Sequence, residues 1–225
     1  MINDRYSRNM TTLSQEENDS LRSKKVCVVG CGGLGGYILE MLARLGVGTL
    51  TAVDGDSFDA SNLNRQLLAT ETVLGLSKTT IAVERIKLIN SDVKVNPVQS
   101  LLVEDNASQI CRDHHVLVDA LDNVHSRMLL QKTASNLKIP MVHGAIAGWY
   151  GQVTTILPGD DTLSKLYGDN EDRGIETELG NPSFTPALVA SLQVAEVVKL
   201  LIGRGELLRG RIFYIDTLQQ EVHYL

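Results

Sequence analysis

Gly30, Gly32 and Gly35 form a Gly-x-Gly-x-x-Gly run, a spacing that lets backbone amides approach phosphate oxygens with no Cβ in the way. The preceding segment, Lys25–Val29, is short, apolar and β-branched; the following one, residues 37–45, has helical spacing of apolar groups. A strand feeding such a loop into a helix puts the positive end of the helix dipole at the phosphates. Asp54 ends the next apolar run, Thr49–Val53, where a carboxylate can accept hydrogen bonds from ribose hydroxyls. Loop and acid together describe a nucleotide site. By themselves they do not choose among NAD, FAD, S-adenosylmethionine and ATP.

These groups need a scaffold, and the remaining pattern supplies one. Residues 78–89 read as a helix, 94–98 as a strand, 107–113 as a helix and 116–119 as a strand ending at Asp119. Residues 124–137 read as a helix and 139–145 as a strand. Ser14 and Glu17 match a capping box, so a helix is expected to start there. Beyond a strand at 151–157, residues 158–182 are polar and acidic with no clear period, too long for an ordinary connection. A long apolar helix over 186–202 and a hairpin of 211–215 with 221–225 close the chain. Strands alternating with helices predict an α/β fold with a Rossmann-like, doubly wound, mostly parallel sheet, and the hairpin predicts a C-terminal antiparallel extension. The expectation is a single domain over residues 1–225, with an N-terminal arm at 1–23 and a crossover loop at 158–182.

Net charge is −6, which lacks the basic footprint of a nucleic-acid binder and disfavours anionic membranes. The polar N-terminus holds no signal-peptide core, and no run comes near the ~18 apolar residues of a membrane span. Three cysteines, Cys27, Cys31 and Cys111, do not make a disulfide framework. A cytoplasmic protein without nucleic-acid or membrane partners is expected.

The run Gly30-Cys31-Gly32-Gly33-Leu34-Gly35, with Gly46-Val47-Gly48-Thr49-Leu50, Val53-Asp54-Gly55-Asp56 and Ser61-Asn62-Leu63-Asn64-Arg65-Gln66 after it, resembles the ThiF/MoeB/HesA family, bacterial relatives of ubiquitin-activating enzymes. The likeness continues through Gly75-Leu76-Ser77-Lys78, Asp119-Ala120-Leu121-Asp122-Asn123 and Arg127, returns over 191–201, and includes Arg5-Tyr6-Ser7-Arg8. The resemblance implies a homodimeric, ATP-dependent adenylyltransferase. It would activate the C-terminal Gly-Gly carboxylate of a ubiquitin-like sulfur-carrier protein to an acyl-adenylate, releasing pyrophosphate, in thiamine, molybdopterin or tungstopterin synthesis. A separate sulfur donor would follow. Such chemistry needs positioning and cations more than acid–base help. The resemblance accordingly puts Asn62, Arg65 and Lys78 on the triphosphate, with the backbone of Gly30, Gly32, Gly33, Leu34 and Gly35. Asp54, with Asp56 beside it, would hold the ribose. Asp122, flanked by Leu121 and Asn123, would hold Mg²⁺, and Arg127 would lie near the phosphates. Arg8 would reach into the other subunit's site like an arginine finger.

The chain departs from that family's pattern in two ways. It has no Cys-x-x-Cys pair, so the four-thiolate zinc site of many members cannot be built and no zinc is expected. The crossover stretch carries no cysteine, so covalent chemistry on it is not expected. Instead Asp160, Asp161, Asp169, Glu171, Asp172, Glu176 and Glu178 are expected to meet a basic patch on the carrier. Cys31 reads as a small residue filling space, His143 and His223 as structural histidines, and Asp119 as a prop for the loop that carries Asp122. Adenylation of another carboxylate on the same fold and a non-catalytic nucleotide-binding scaffold remain as alternatives. A nicotinamide oxidoreductase would leave Arg65, Lys78 and Asp122 without a role.

Overall fold

The computed structural model of the chain describes residues 4–168 and 179–225. Among them an eight-stranded sheet runs in the order β3-β2-β1-β4-β5-β6-β7-β8. Its strands are β1 (Lys25–Val29), β2 (Thr49–Val53), β3 (Lys94–Val98), β4 (Val116–Asp119), β5 (Met141–Ala147), β6 (Tyr150–Ile156), β7 (Phe213–Asp216) and β8 (Glu221–Tyr224). The first five are mutually parallel, and β6, β7 and β8 add on antiparallel. This is the doubly wound α/β sheet with an antiparallel extension that the alternation predicts.

The described helices are α1 (Gln15–Leu21), α2 (Gly33–Leu45), α3 (Lys78–Ile89), α4 (Glu104–Cys111), α5 (Val124–Leu137), α6 (Thr162–Tyr167) and α7 (Phe184–Ile202). Period-two alternation sorts the strand side chains between two cores. Val26, Val28, Leu50, Ala52 and Val118 face α2, α3 and α7. Cys27, Val29, Leu117 and Met141 face α4, α5 and α6. Burial on both faces explains why these strands read as continuous apolar runs.

Ser14 caps α1 through the expected box, its Oγ accepting from the Glu17 amide and its own amide donating to Glu17. Several elements differ from expectation: α2 opens at Gly33 rather than 37, β5 and β7 start two residues later than expected, and α4, α6 and α7 also depart. α4 begins at Glu104 rather than 107, because Asn106 Oδ1 accepts from the Val103 amide and the acidic first turn suits the helix dipole. α6 stands where no helix is expected; buried Leu163, whose amide donates to Gln131, ties it to α5. α7 is long and apolar enough for a bilayer crossing by length and composition, with a mean hydropathy of 1.5. Here it is a core helix, carrying buried Gln193 and Glu196 that bond to β4 and β6.

Candidate functional site

β1 leads to α2 and β2 on one side, and the chain later returns to lay β4 on the other flank of β1. Strand order therefore reverses between β1 and β4, and a crevice opens at their carboxyl ends, where ligands bind in open α/β sheets. A cavity of about 600 Å³ occupies that crevice. The glycine loop forms its floor. Gly30 takes a φ of +97°, and a Cβ there would lie 2.3 Å from the Ala120 carbonyl oxygen. A Cβ on Gly35 would lie 1.8 Å from the Gly30 oxygen. The N-termini of α2 and α5 both open toward the cavity, and Asn123 caps α5 by accepting from the Ser126 amide at 2.8 Å.

Most candidate residues converge here. Gly30, Gly32, Gly33, Leu34, Asp54, Asp56, Arg65, Lys78, Leu121, Asp122, Asn123 and Arg127 line the cavity. Gly35 lies just behind, as the close-packing residue of the turn. Asn62 is buried and does not line it; its Oδ1 accepts from the Asp59 amide and holds the 60–66 segment in shape. Asp54 accepts from the Cys31 amide at 2.7 Å and the Asp56 amide at 2.8 Å, which clamps the glycine loop to β2. The Asp56 carboxylate turns to Lys78, 3.0 Å away. Lys78 is only 8% exposed in its side chain while Asp56 is 66% exposed, so this pair holds a desolvated ammonium at the cavity wall. Arg65 lies over Gly33, its Nη1 donating to Ser61 O and Asn64 Oδ1. Asp122 is exposed at the mouth.

Cys31 is fully buried, and burial first, then the Asp54 charge, push its thiol well above the ordinary range, with Lys78 pulling back. It fills space beside the loop. His143 is buried as well, bonded to Asp119 at 2.6 Å, and Asp119 accepts from the Leu121 amide at 2.9 Å, propping the Asp122 turn. Asp160 is gripped by Arg209 through both carboxylate oxygens, which lowers its pKa, and Asp161 pairs with Lys165 at 2.8 Å. These two acids are thus engaged within the chain. Asp169, Glu171, Asp172, Glu176 and Glu178 lie outside the described residues.

Some lining residues are assigned no role from the sequence, although Gln66 stands in the 61–66 run. Gln66, 7% exposed, sits against Gly32 with its Oε1 unpartnered among the described residues. Leu101, Leu102 and Val103 wall the opposite side; their short apolar run after β3, at the carboxyl edge of the sheet, is the clue that marks them. A second cavity of about 250 Å³ adjoins the first, lined by Ala145, Ala147, Tyr150, Gly151, Leu166 and Tyr214 among others. The two share Arg127 and Ile146 as a common wall.

Arg8 stands apart. It is exposed in a short 3₁₀ turn, Asp4–Asn9, anchored by buried Tyr6. Tyr6 packs against Gly46 and accepts a hydrogen bond from Asn90 at 2.8 Å. Gly46 follows the last residue of α2, a 13-residue helix, so the anchor lies about 20 Å from the glycine loop at the helical rise.

Comparison with known proteins agrees with this geometry. The model of the ThiF family matches residues 6–225. A SAMP-activating enzyme E1 of Haloferax volcanii is 36% identical over 220 residues, covering 96% of this chain and 82% of the relative. A sulfur carrier protein adenylyltransferase of Thermus thermophilus is 35% identical over 227 residues, covering 96% of this chain and 84% of the relative. A molybdopterin-synthase adenylyltransferase of Escherichia coli is 32% identical over 205 residues, covering 89% and 82%. The crystal structure of E. coli MccB with ATP superposes with a TM-score of 0.85 at 21% identity, covering all of this chain and 71% of that one; at that identity it speaks to the fold.

Proposed function

Because this chain belongs to the ThiF family, we propose that it adenylates the C-terminal Gly-Gly carboxylate of a ubiquitin-like sulfur-carrier protein, using ATP and releasing pyrophosphate. The observation that carries this reading is the convergence of Arg65, Lys78 and Arg127 on one cleft with Asp122 at its mouth. Three cations and two helix N-termini suit a polyphosphate, not a nicotinamide ring. The cavity volume of about 600 Å³ falls in the usual range for a bound small molecule.

In the proposed reaction, a carrier carboxylate oxygen attacks the α-phosphorus of ATP. A new O–P bond forms as the bond from the α-phosphorus to the bridging oxygen breaks, and that electron pair leaves on pyrophosphate. The protein need not move a proton; it must hold the reactants in line and offset the gathering negative charge. Lys78 is suited to this, since its ammonium is already desolvated and held by Asp56. Arg65 is suited to the outer phosphates, facing the loop at Gly33. Asp54, bonded to the loop's amides, keeps the phosphate cradle in shape and faces the cavity, where the ribose would lie.

Asp122 is the residue that would hold Mg²⁺. The fit is physical: Mg²⁺ takes one or two carboxylates plus substrate phosphates and keeps several waters, so one exposed carboxylate at the wall of the nucleotide cavity suffices. When bound, the ion would offset negative charge on the phosphates.

We assign the second cavity to the carrier's tail. Among the described residues Arg127 is the one formally charged residue lining it, so an incoming carboxylate meets a cation at the wall shared with the nucleotide. Tyr150, Gly151 and Tyr214 offer the rest of the path.

Arg8 is assigned to a neighbouring subunit's cleft in a homodimer. Its anchor at the far end of α2 keeps it from its own chain's cavity. An Arg8→Ala protein and an Asp122→Ala protein, each nearly inactive, should recover part of the activity when mixed and allowed to exchange subunits. No recovery, with exchange of subunits verified, would refute the shared site.

The activity itself is tested by ATP–pyrophosphate exchange, with and without carriers ending in Gly-Gly. Exchange that requires a carrier is the expected result. ATP binding without exchange, whatever the carrier, would leave a nucleotide-binding scaffold; exchange driven by another carboxylate would identify a different substrate.

A further inference from the structure

Buried His143 and half-buried Tyr167 and Gln152 are polar and not used in the reaction just described. Their bonds form a closed path. The Leu121 amide donates to Asp119 Oδ1 at 2.9 Å, and Asp119 Oδ2 lies 2.6 Å from His143 Nδ1. His143 Nε2 lies 3.3 Å from the Tyr167 hydroxyl, which Arg127 Nη1 approaches at 3.2 Å. Arg127 Nη2 then donates to the Leu121 carbonyl at 2.8 Å, completing the ring.

Arg127 and the Gln152 amide nitrogen, 3.1 Å from the Tyr167 oxygen, can only donate. His143 Nε2 lies 3.3 Å from both the Tyr167 oxygen and the Gln152 nitrogen. A proton on His143 Nδ1 is what donates to Asp119. Bonds linked in this way support one another. The ring crosses β4, β5, α5 and α6 and encloses the 119–123 turn. It also forms the partition between the cavities, because Arg127 lines both while Tyr167 and Gln152 line the second.

We propose that Tyr167 and His143 are positioning residues: the ring they close fixes the turn that carries Asp122 and orients Arg127, and it couples the second cavity to the nucleotide cavity. This rests on the reading above, in which Asp122 and Arg127 serve the nucleotide and the second cavity admits the tail. An occupant of the second cavity touches Tyr167, one hydrogen bond from Arg127. Contact there is transmitted through bonds that hold or break as a set.

The test uses the full chain with Tyr167→Phe, which keeps the ring stacked near Arg127 (5.7 Å from its guanidinium carbon to the ring centre) and removes the hydroxyl. Hydrogen–deuterium exchange is read on peptides covering 119–127 and, as a control, on β2. Faster exchange over 119–127 with β2 unchanged is expected; unchanged protection of 119–127 overturns the ring whatever the activity. In pyrophosphate exchange, kcat should fall on the order of 10–100-fold, the loss typical when supporting hydrogen bonds or small displacements are at stake, with KM for ATP changing much less. Loosened exchange with an unaltered kcat overturns the positioning role. Combining Tyr167→Phe with His143→Gln, or with Arg127→Lys where the histidine variant does not fold, should cost little beyond the worse single change, as members of one unit do. Losses that multiply refute the closed ring. If the unaltered protein supports no carrier-dependent exchange while the Tyr167→Phe deuterium pattern appears, the proposed activity fails and the ring stands.

Discussion

Asp122→Ala should reduce carrier-dependent pyrophosphate exchange by at least ~10²–10³-fold, the scale set by removing one preorganised electrostatic contact to a transition state. The protein should stay folded, because Asp122 is exposed and, among the described residues, its side chain makes only a long 3.3 Å contact with Asn123. The turn around it is held by other groups, Asp119 below and Arg127 above. The loss therefore belongs to the chemistry. With the carboxylate gone, the cleft keeps Arg65, Lys78 and Arg127, so nucleotide should still bind. The expected signature is a collapse of kcat with ATP affinity falling far less, read by exchange kinetics beside calorimetric titration. An Asp122→Ala protein that exchanges pyrophosphate normally would remove this residue from the site.

Gly35→Ala acts by a different route and should be nearly as severe. The new Cβ would sit 1.8 Å from the Gly30 oxygen and 2.7 Å from its carbonyl carbon. Those are backbone atoms, held in turn by the Gly30 amide's 2.8 Å bond to Val53 O, so no rotamer change relieves the clash. The loop must lift away from α2, at a cost of about 1–3 kcal/mol or more for overpacking, and the phosphate cradle opens. Melting temperature and nucleotide affinity should fall together. Gly33→Ala is the comparison, since a Cβ there meets nothing closer than 3.6 Å. Equal melting temperatures for the two variants would show that the close approach is not what the turn depends on.

Much of this architecture was legible in the chain. β1, β2, β3, α3 and α5 fall on the expected residues because each is written locally, in β-branched runs or in caps such as Asn123. The glycine loop was legible because close approach demands glycine wherever it occurs. α6 was not, since its six residues are too few to be stable alone and depend on Leu163 fitting against α5. The start of α2 was hidden by the glycines that open it. In the site, Asp54 and Lys78 were legible as types at strand and helix ends. That Asp56 would turn to Lys78, and Asn62 inward to a cap, follows from a fold of the 56–66 segment that no spacing encodes. The Asp119–His143–Tyr167 chain was least legible: each partner is 24 residues from the next, and a lone histidine in a strand carries no mark of what lies across the sheet.

The reversal of strand order between β1 and β4 also bears on how the protein is made. Synthesis delivers β1, α2, β2, α3 and β3 first, a unit that already contains the glycine loop, Asp54 and Lys78. That nascent piece lacks Asp122 and Arg127, so it holds half of a nucleotide site. It also leaves one flank of β1, apolar and buried in the finished sheet, open as an unpaired edge of the kind that recruits stray strands. The edge is closed only when β4 leaves the ribosome, and the residues just after it, Asp122 and Arg127, complete the cleft. Arrival of β4 thus ends the period in which that edge can recruit another strand, and the complete nucleotide site follows it within a few residues.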